Sequence, residues 1–144
     1  MAANITTPEG FMINQGKCFL FKDQKIDPDL VKKFGQLTGD WNEHNEKPTG
    51  QFQEPGVQGF LSLALFGGYH KEICEIPGSD PMNVEFSCKL LKKIPVGSTF
   101  TAALSVKDIK ERPKYISVKW TYGLWDNTEK FLLDAYVVIR YTKK

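Results

Sequence analysis

The chain reads as an α+β domain in which an antiparallel sheet wraps around one buried helix. Gln58 to about Ile73 (QGFLSLALFGGYHKEI) is rich in helix formers and apolar on almost every face. A helix without a polar face is one that the fold covers on all sides. Behind it come four long runs of alternating, β-branched or aromatic residues: Pro81 to Lys92, Ser98 to Lys110, Lys114 to Trp125 and Phe131 to Tyr141. The turn signals that separate them, Pro95-Val96-Gly97, Arg112-Pro113 and Asp126-Asn127, are hairpin-sized, so the strands pair antiparallel.

The preceding elements follow in order. The first fifteen residues carry no strong pattern and are expected as a loose arm or an addition to a sheet edge. Lys17 to Lys25 (KCFLFKDQK) has the aromatic alternation of a strand. Asp27-Pro28-Asp29 opens a helix with an N-cap aspartate and a first-turn proline, and Leu30, Val31, Phe34 and Leu37 recur at helical spacing. Gly39 stands where a C-cap glycine ends such a helix. Asp40 to Pro55 is a polar loop punctuated by Pro and Gly, and a loop of that length inside a small domain is usually functional or mobile.

Composition narrows the class. With 144 residues, 41% of them hydrophobic, the chain suits a single domain spanning 1–144 with a real core. Nineteen basic against seventeen acidic residues, with no basic stripe, argue against a nucleic-acid partner. The longest apolar stretch is too short to span a bilayer, and no secretory signal opens the chain. Three cysteines far apart (Cys18, Cys74, Cys88) and two histidines suggest neither a disulfide framework nor a metal site, and point to reduced thiols and a cytoplasmic location.

The ionisable candidates sit where the long loop begins. Asp40, Glu43, His44 and Glu46 lie close together beside Trp41, Asn42 and Asn45. As ordinary loop residues they would cap the preceding helix and satisfy turn backbone. As a site, Asp40 and His44 would form an acid/base pair, since either can move a proton near neutral pH. Pro55-Gly56-Val57-Gln58-Gly59 then leads into the apolar helix. The start of a helix offers unpaired amides and a partial positive charge, and a glycine there admits a ligand oxygen to the backbone. Such a turn could polarise a thioester carbonyl; equally, Gly56 and Gly59 could simply let the chain enter a crowded core. Trp120 and Trp125 read as sheet packing, and His70 as a partner of carbonyls at the helix end.

A sheet curled around one helix is the hotdog arrangement, and three segments resemble one hotdog family, the MaoC-like dehydratases or (R)-specific enoyl-CoA hydratases. Leu37-Thr38-Gly39-Asp40-Trp41-Asn42 resembles the family's Ser/Thr-Gly-Asp-aromatic-Asn opening. Phe52-Gln53-Glu54-Pro55-Gly56-Val57-Gln58-Gly59-Phe60-Leu61 resembles its Phe-x-x-Pro-Ile-x-His-Gly-Met-Leu stretch. Phe86-Ser87-Cys88-Lys89-Leu90, with Ile94-Pro95-Val96-Gly97-Ser98, resembles its strand and Val-Gly-Asp turn. The resemblance implies hydration or dehydration of an acyl thioester (enoyl-CoA or enoyl-acyl carrier protein). Asp40, His44 and the Gly59 amide would be catalytic, and Asn42, Asn45, Gln58 and Phe60 would contact substrate. Lys92 and Lys93, clustered with Lys89, would meet the phosphates of coenzyme A or an acidic carrier protein. It implies no cofactor beyond the thioester substrate. It also implies a homodimer with its helices side by side, or a higher oligomer or a heteromer with another hotdog subunit.

The chain departs from the family motif Asp-x-Asn-Pro-x-His at two positions. Asn45 stands at the histidine position, His44 comes one residue earlier, and Glu43 replaces the proline. Either a one-residue deletion keeps His44 as the base, or Asn45 replaces the base and the site is degenerate. Gln58 also replaces the usual histidine before the helix glycine. Two alternatives to a hydratase therefore stand beside it: a non-catalytic acyl-thioester-binding hotdog subunit, and a hotdog thioesterase.

Overall fold

Five strands form one antiparallel sheet in the order β1-β3-β4-β5-β2. The strands are β1 (Cys18–Lys25), β2 (Ser79–Leu90), β3 (Thr99–Glu111), β4 (Tyr115–Asp126) and β5 (Phe131–Lys143), and the helices are α1 (Pro8–Asn14), α2 (Pro28–Thr38) and α3 (Gly59–Ile73). The computed structural model describes residues 5–51 and 53–144. Residues 1–4 of the expected arm and Phe52 of the Phe-x-x-Pro segment lie outside the described residues.

Local chemistry accounts for the ends of these elements. Asp27 caps α2 by accepting a hydrogen bond from the Leu30 amide at 2.8 Å. Gly39 closes the helix in the left-handed region, at φ 79°, and donates to the Gly35 carbonyl. The β4–β5 turn is tied by one Asp126 carboxylate oxygen, which accepts from the Thr128 amide, the Thr128 hydroxyl and the Lys130 amide.

Alternation along β3, β4 and β5 puts Leu104, Val106, Val118, Trp120, Tyr122, Val137 and Ile139 on the inner face, where all are buried. α3 lies on that face. The Tyr122 hydroxyl donates to the Ser62 carbonyl at 2.8 Å and fixes how the helix sits. The hotdog architecture expected from the sequence is present: one long helix packed on a five-stranded antiparallel sheet.

The Pro95-Val96-Gly97 segment, expected as a hairpin turn, lies instead in a crossover: β2 pairs with β5 and not with β3, whose two edges are taken by β1 and β4. Two further features differ from expectation. The N-terminal segment is packed from Ile5 onward. The Ile5 amide donates to the Ile73 carbonyl, the Glu75 amide donates to the Ile5 carbonyl, and Phe11 of α1 is fully buried against Trp120 and Tyr141. Two large apolar side chains supply the burial energy that a loose arm would lack. The second difference concerns α3, which is not covered on all sides of the single chain. Phe60, Ala64, Gly67 and Lys71 form an exposed stripe, because the sheet can shield one side of a helix and not the opposite one.

His70 is also placed differently. Its ring meets the Tyr141 hydroxyl at 2.5 Å rather than helix-end carbonyls, and Cys74 Sγ lies 3.3 Å from the same hydroxyl. Burial, with Lys71 beside it, lowers His70 from 6.5 to about 4, and burial pushes the Cys74 thiol up to about 11. The unfolded chain therefore binds a proton at this histidine before the native protein does. The His70 contribution to stability is complete above about pH 6.5 and is lost as pH falls toward about 4, for a total of about 3 kcal/mol. Urea unfolding of wild type and His70→Gln across that range should show the difference between the two curves changing by that amount. A constant difference would remove His70 as the cause.

Candidate functional site

α2 and α3 bring the two halves of the site together. At the end of α2 the Thr38 hydroxyl donates to the Phe34 carbonyl at 2.7 Å, and the Asp40 amide donates to the Thr38 oxygen at 3.1 Å. Trp41 folds back onto Gly35, where an added Cβ would come within 2.7 Å of the indole. That contact explains a glycine in mid-helix, which otherwise costs about 1 kcal/mol relative to alanine. Both contacts hold the Asp40 backbone just beyond the helix, with the residue half-buried.

α3 starts at Gly59 with no side-chain cap, and its first internal bond runs from the Ser62 amide to the Gln58 carbonyl at 3.2 Å. The amides of the first turn consequently have no acceptor within the helix and carry its positive end. Asp40 and Gly59 line the same cavity, of about 470 Å³. Its remaining wall is mostly apolar: Phe60 and Leu63 from α3, and Phe86, Cys88 and Leu90 from β2. An adjoining groove of about 370 Å³ shares Phe60, Leu63 and Phe86 and continues along α3 to Gly67 and Val137. Burial raises the Cys88 thiol above its ordinary value, so it stays protonated at neutral pH and is a poor nucleophile.

The other expected site residues lie around this cavity rather than in its wall. His44 is half-buried in a single 3-10 turn, Glu43–Asn45, and its main-chain carbonyl accepts from the Gly56 amide at 2.8 Å. Asn42 is exposed at the start of that turn. Asn45 has a different job from the one expected. It is buried, its Oδ1 accepts from the Asn42 amide and its Nδ2 donates to the Gly56 carbonyl, each at 2.7 Å. Both ends of its amide are thereby spent on bracing the loop.

Gln58 and Lys93 are likewise spent on backbone. Gln58 Nε2 donates to the Val31 carbonyl at 2.9 Å and the Asp40 carbonyl at 3.1 Å, which leaves its amide hydrogens unavailable to a substrate. The Lys93 ammonium donates to the Glu54 carbonyl, with its stem against Gly56. Lys92 is exposed. Among the described residues no three His, Cys, Asp or Glu side chains are grouped to hold a metal, and no helix is long and apolar enough to cross a membrane.

The β2 wall was absent from the sequence-based site. Its signal was available: Phe86, Cys88 and Leu90 alternate along one strand, and pairing sets them opposite Val137, Ala135 and Leu133. What the sequence lacked was the direction of that face.

No protein-family model matches the chain, and no curated protein matches its sequence. Solved structures do. The (R)-hydratase PhaJ1 from Pseudomonas aeruginosa superposes with a TM-score of 0.77 at 19% identity, covering 99% of this chain and 89% of that one. The monoamine oxidase regulatory protein from Archaeoglobus fulgius reaches 0.80 at 18% identity, covering 100% and 99%. The MaoC-like dehydratase from Rhodospirillum rubrum reaches 0.71 at 12% identity, covering 90% and 93%. The chain has the hotdog fold in the form shared by these hydratase and MaoC-like structures.

Proposed function

We propose that the protein is an acyl-thioester hydratase or dehydratase, adding or removing water across the α,β double bond of an enoyl-CoA or enoyl-acyl carrier protein. One observation carries this reading: a carboxylate and an uncapped helix start share the wall of a largely apolar cavity. The thioester carbonyl would accept from the Gly59 amide, which stabilises the enolate-like charge that develops as water adds. Asp40 would hold the water and move its proton, with His44 of the same loop as the partner in proton transfer. The acyl chain would lie along the apolar groove beside Leu63 and Phe86. Hydration is neither a redox nor a group-transfer reaction, so the chemistry calls for no cofactor.

The test is wild-type protein with crotonyl-CoA, followed at the enoyl-thioester absorbance and, in parallel, by a free-thiol assay. Loss of enoyl absorbance without thiol release is expected. Thiol release instead would establish the thioesterase alternative, which the presence of Asp40 and not His44 in the cavity wall favours as second reading. Binding without either reaction would mark an acyl-thioester-binding subunit. In the same assay His44→Ala should cost about a hundredfold in turnover if it shares the proton transfer, and full activity in a folded variant would remove it from the mechanism.

We also propose that a second copy of this chain covers the open face, giving a cytoplasmic homodimer. β2 is a twelve-residue free edge carrying exposed Met82, Val84, Phe86 and Leu90, and it adjoins exposed Phe60 of α3. Long apolar edges of this kind are paired or covered in stable proteins. Sedimentation should report a dimer, and Val84→Lys should shift it toward monomer. A wild-type monomer at micromolar concentration would overturn the assignment, and pairing with a different hotdog subunit would then be the arrangement to test.

A further inference from the structure

Gln58 is buried, 3% exposed, and its orientation is unambiguous: Nε2 faces two carbonyls, which only a donor can satisfy. Its Oε1 has no hydrogen-bond partner among the described residues. A buried acceptor without a partner lowers stability, so an apolar side chain would serve packing better at this place. What the glutamine supplies is a link. It is the residue immediately before Gly59, it hydrogen-bonds the main chain of Asp40, and through Val31 it holds the body of α2 as well.

We infer that Gln58 is a positioning residue that sets the separation between the Asp40 carboxylate and the Gly59 amide. This rests on the use of Asp40 and Gly59 proposed above. Thr38 and Trp41 fasten Asp40 to α2, and the Gln58 amide ties that assembly to the start of α3. A proton donor and an oxyanion site must act on one substrate within a small tolerance, and a misplacement of about 1 Å can cost about a hundredfold in rate. Gln58 therefore acts through Asp40 rather than by touching the thioester.

Gln58→Met keeps the length of the side chain and removes its donor. We expect turnover of crotonyl-CoA to fall about tenfold or more, with KM changed by less than about twofold, because the substrate contacts themselves remain. Gln58→Glu supplies the second readout. Its protonated acid can donate to one carbonyl, whereas its carboxylate repels both, so kcat should acquire a new ionisation and recover toward acid pH. A purely structural role would lower the melting temperature without adding an ionisation to the turnover of folded protein. The readout that needs no activity is the Asp40 carboxyl ¹³C resonance, which should move or split in Gln58→Met. Wild type without turnover would sink the hydratase reading, and the Asp40 resonance would still decide this one. An unchanged resonance and unchanged kcat in folded Gln58→Met, or a Gln58→Glu pH profile identical to wild type, would overturn it.

Discussion

Asp40→Asn is expected to keep the fold and reduce enoyl-thioester hydration by about a hundredfold or more. The fold should tolerate the change because its contacts at this residue are made by the main chain: the amide to Thr38 and the carbonyl from Gln58. Among the described residues no hydrogen bond is made to the Asp40 carboxylate, which leaves it to the cavity. An amide of the same shape would fill the same space and still orient a water, but it cannot take up and return a proton. The loss should fall in kcat, with melting temperature close to wild type. Equal turnover in the two proteins would remove Asp40 from the chemistry and with it the hydratase assignment.

Gly59→Ala should have an effect of similar size by another route. A Cβ at this position would come 2.4 Å from Leu90 Cδ1, the tip of a flexible side chain on the cavity wall. Leu90 is half exposed and can turn away, so the fold should persist. The methyl group would nevertheless stand beside the first amide of α3, which has no acceptor within the helix and where the proposed thioester oxygen would approach. Loss of one such donor typically costs about 10²–10³ in turnover. Gly59→Ala with Leu90→Ala separates the two contributions. If crowding of Leu90 were the whole cause, the double variant would recover full activity; if blocked access to the amide is the cause, it stays slow. Wild-type rates in Gly59→Ala itself would show that the helix start is not the oxyanion site.

Much of this architecture is local in origin and was legible from the residues. The ends of α2 follow from Asp27, Pro28 and Gly39, each acting within a few positions of itself. The four C-terminal strands follow from alternation, and short turns join β3 to β4 and β4 to β5 as expected; the place of β2, beside β5 and not beside β3, was not legible. Asp40 and Gly59 were also singled out by local signals, one past a helix C-cap and one at a helix start. The cavity they share could be anticipated because both ends belong to elements whose limits the sequence marks.

What the sequence did not determine is which distant groups each polar side chain would meet. Asn45 reaches Gly56, Gln58 reaches Val31 and Asp40, and Lys93 reaches Glu54. From the sequence each looks like a substrate contact, because a polar residue beside a candidate site looks the same whether its partner is a ligand or a carbonyl. Likewise His70 finds Tyr141, 71 positions away, only because β5 passes beneath the end of α3. The open stripe on α3 and the apolar wall of β2 have the same origin. Hydrophobicity along a chain says that a surface must be covered; the closure of the sheet around α3 decides which face the chain covers itself and which it leaves for a partner or a substrate.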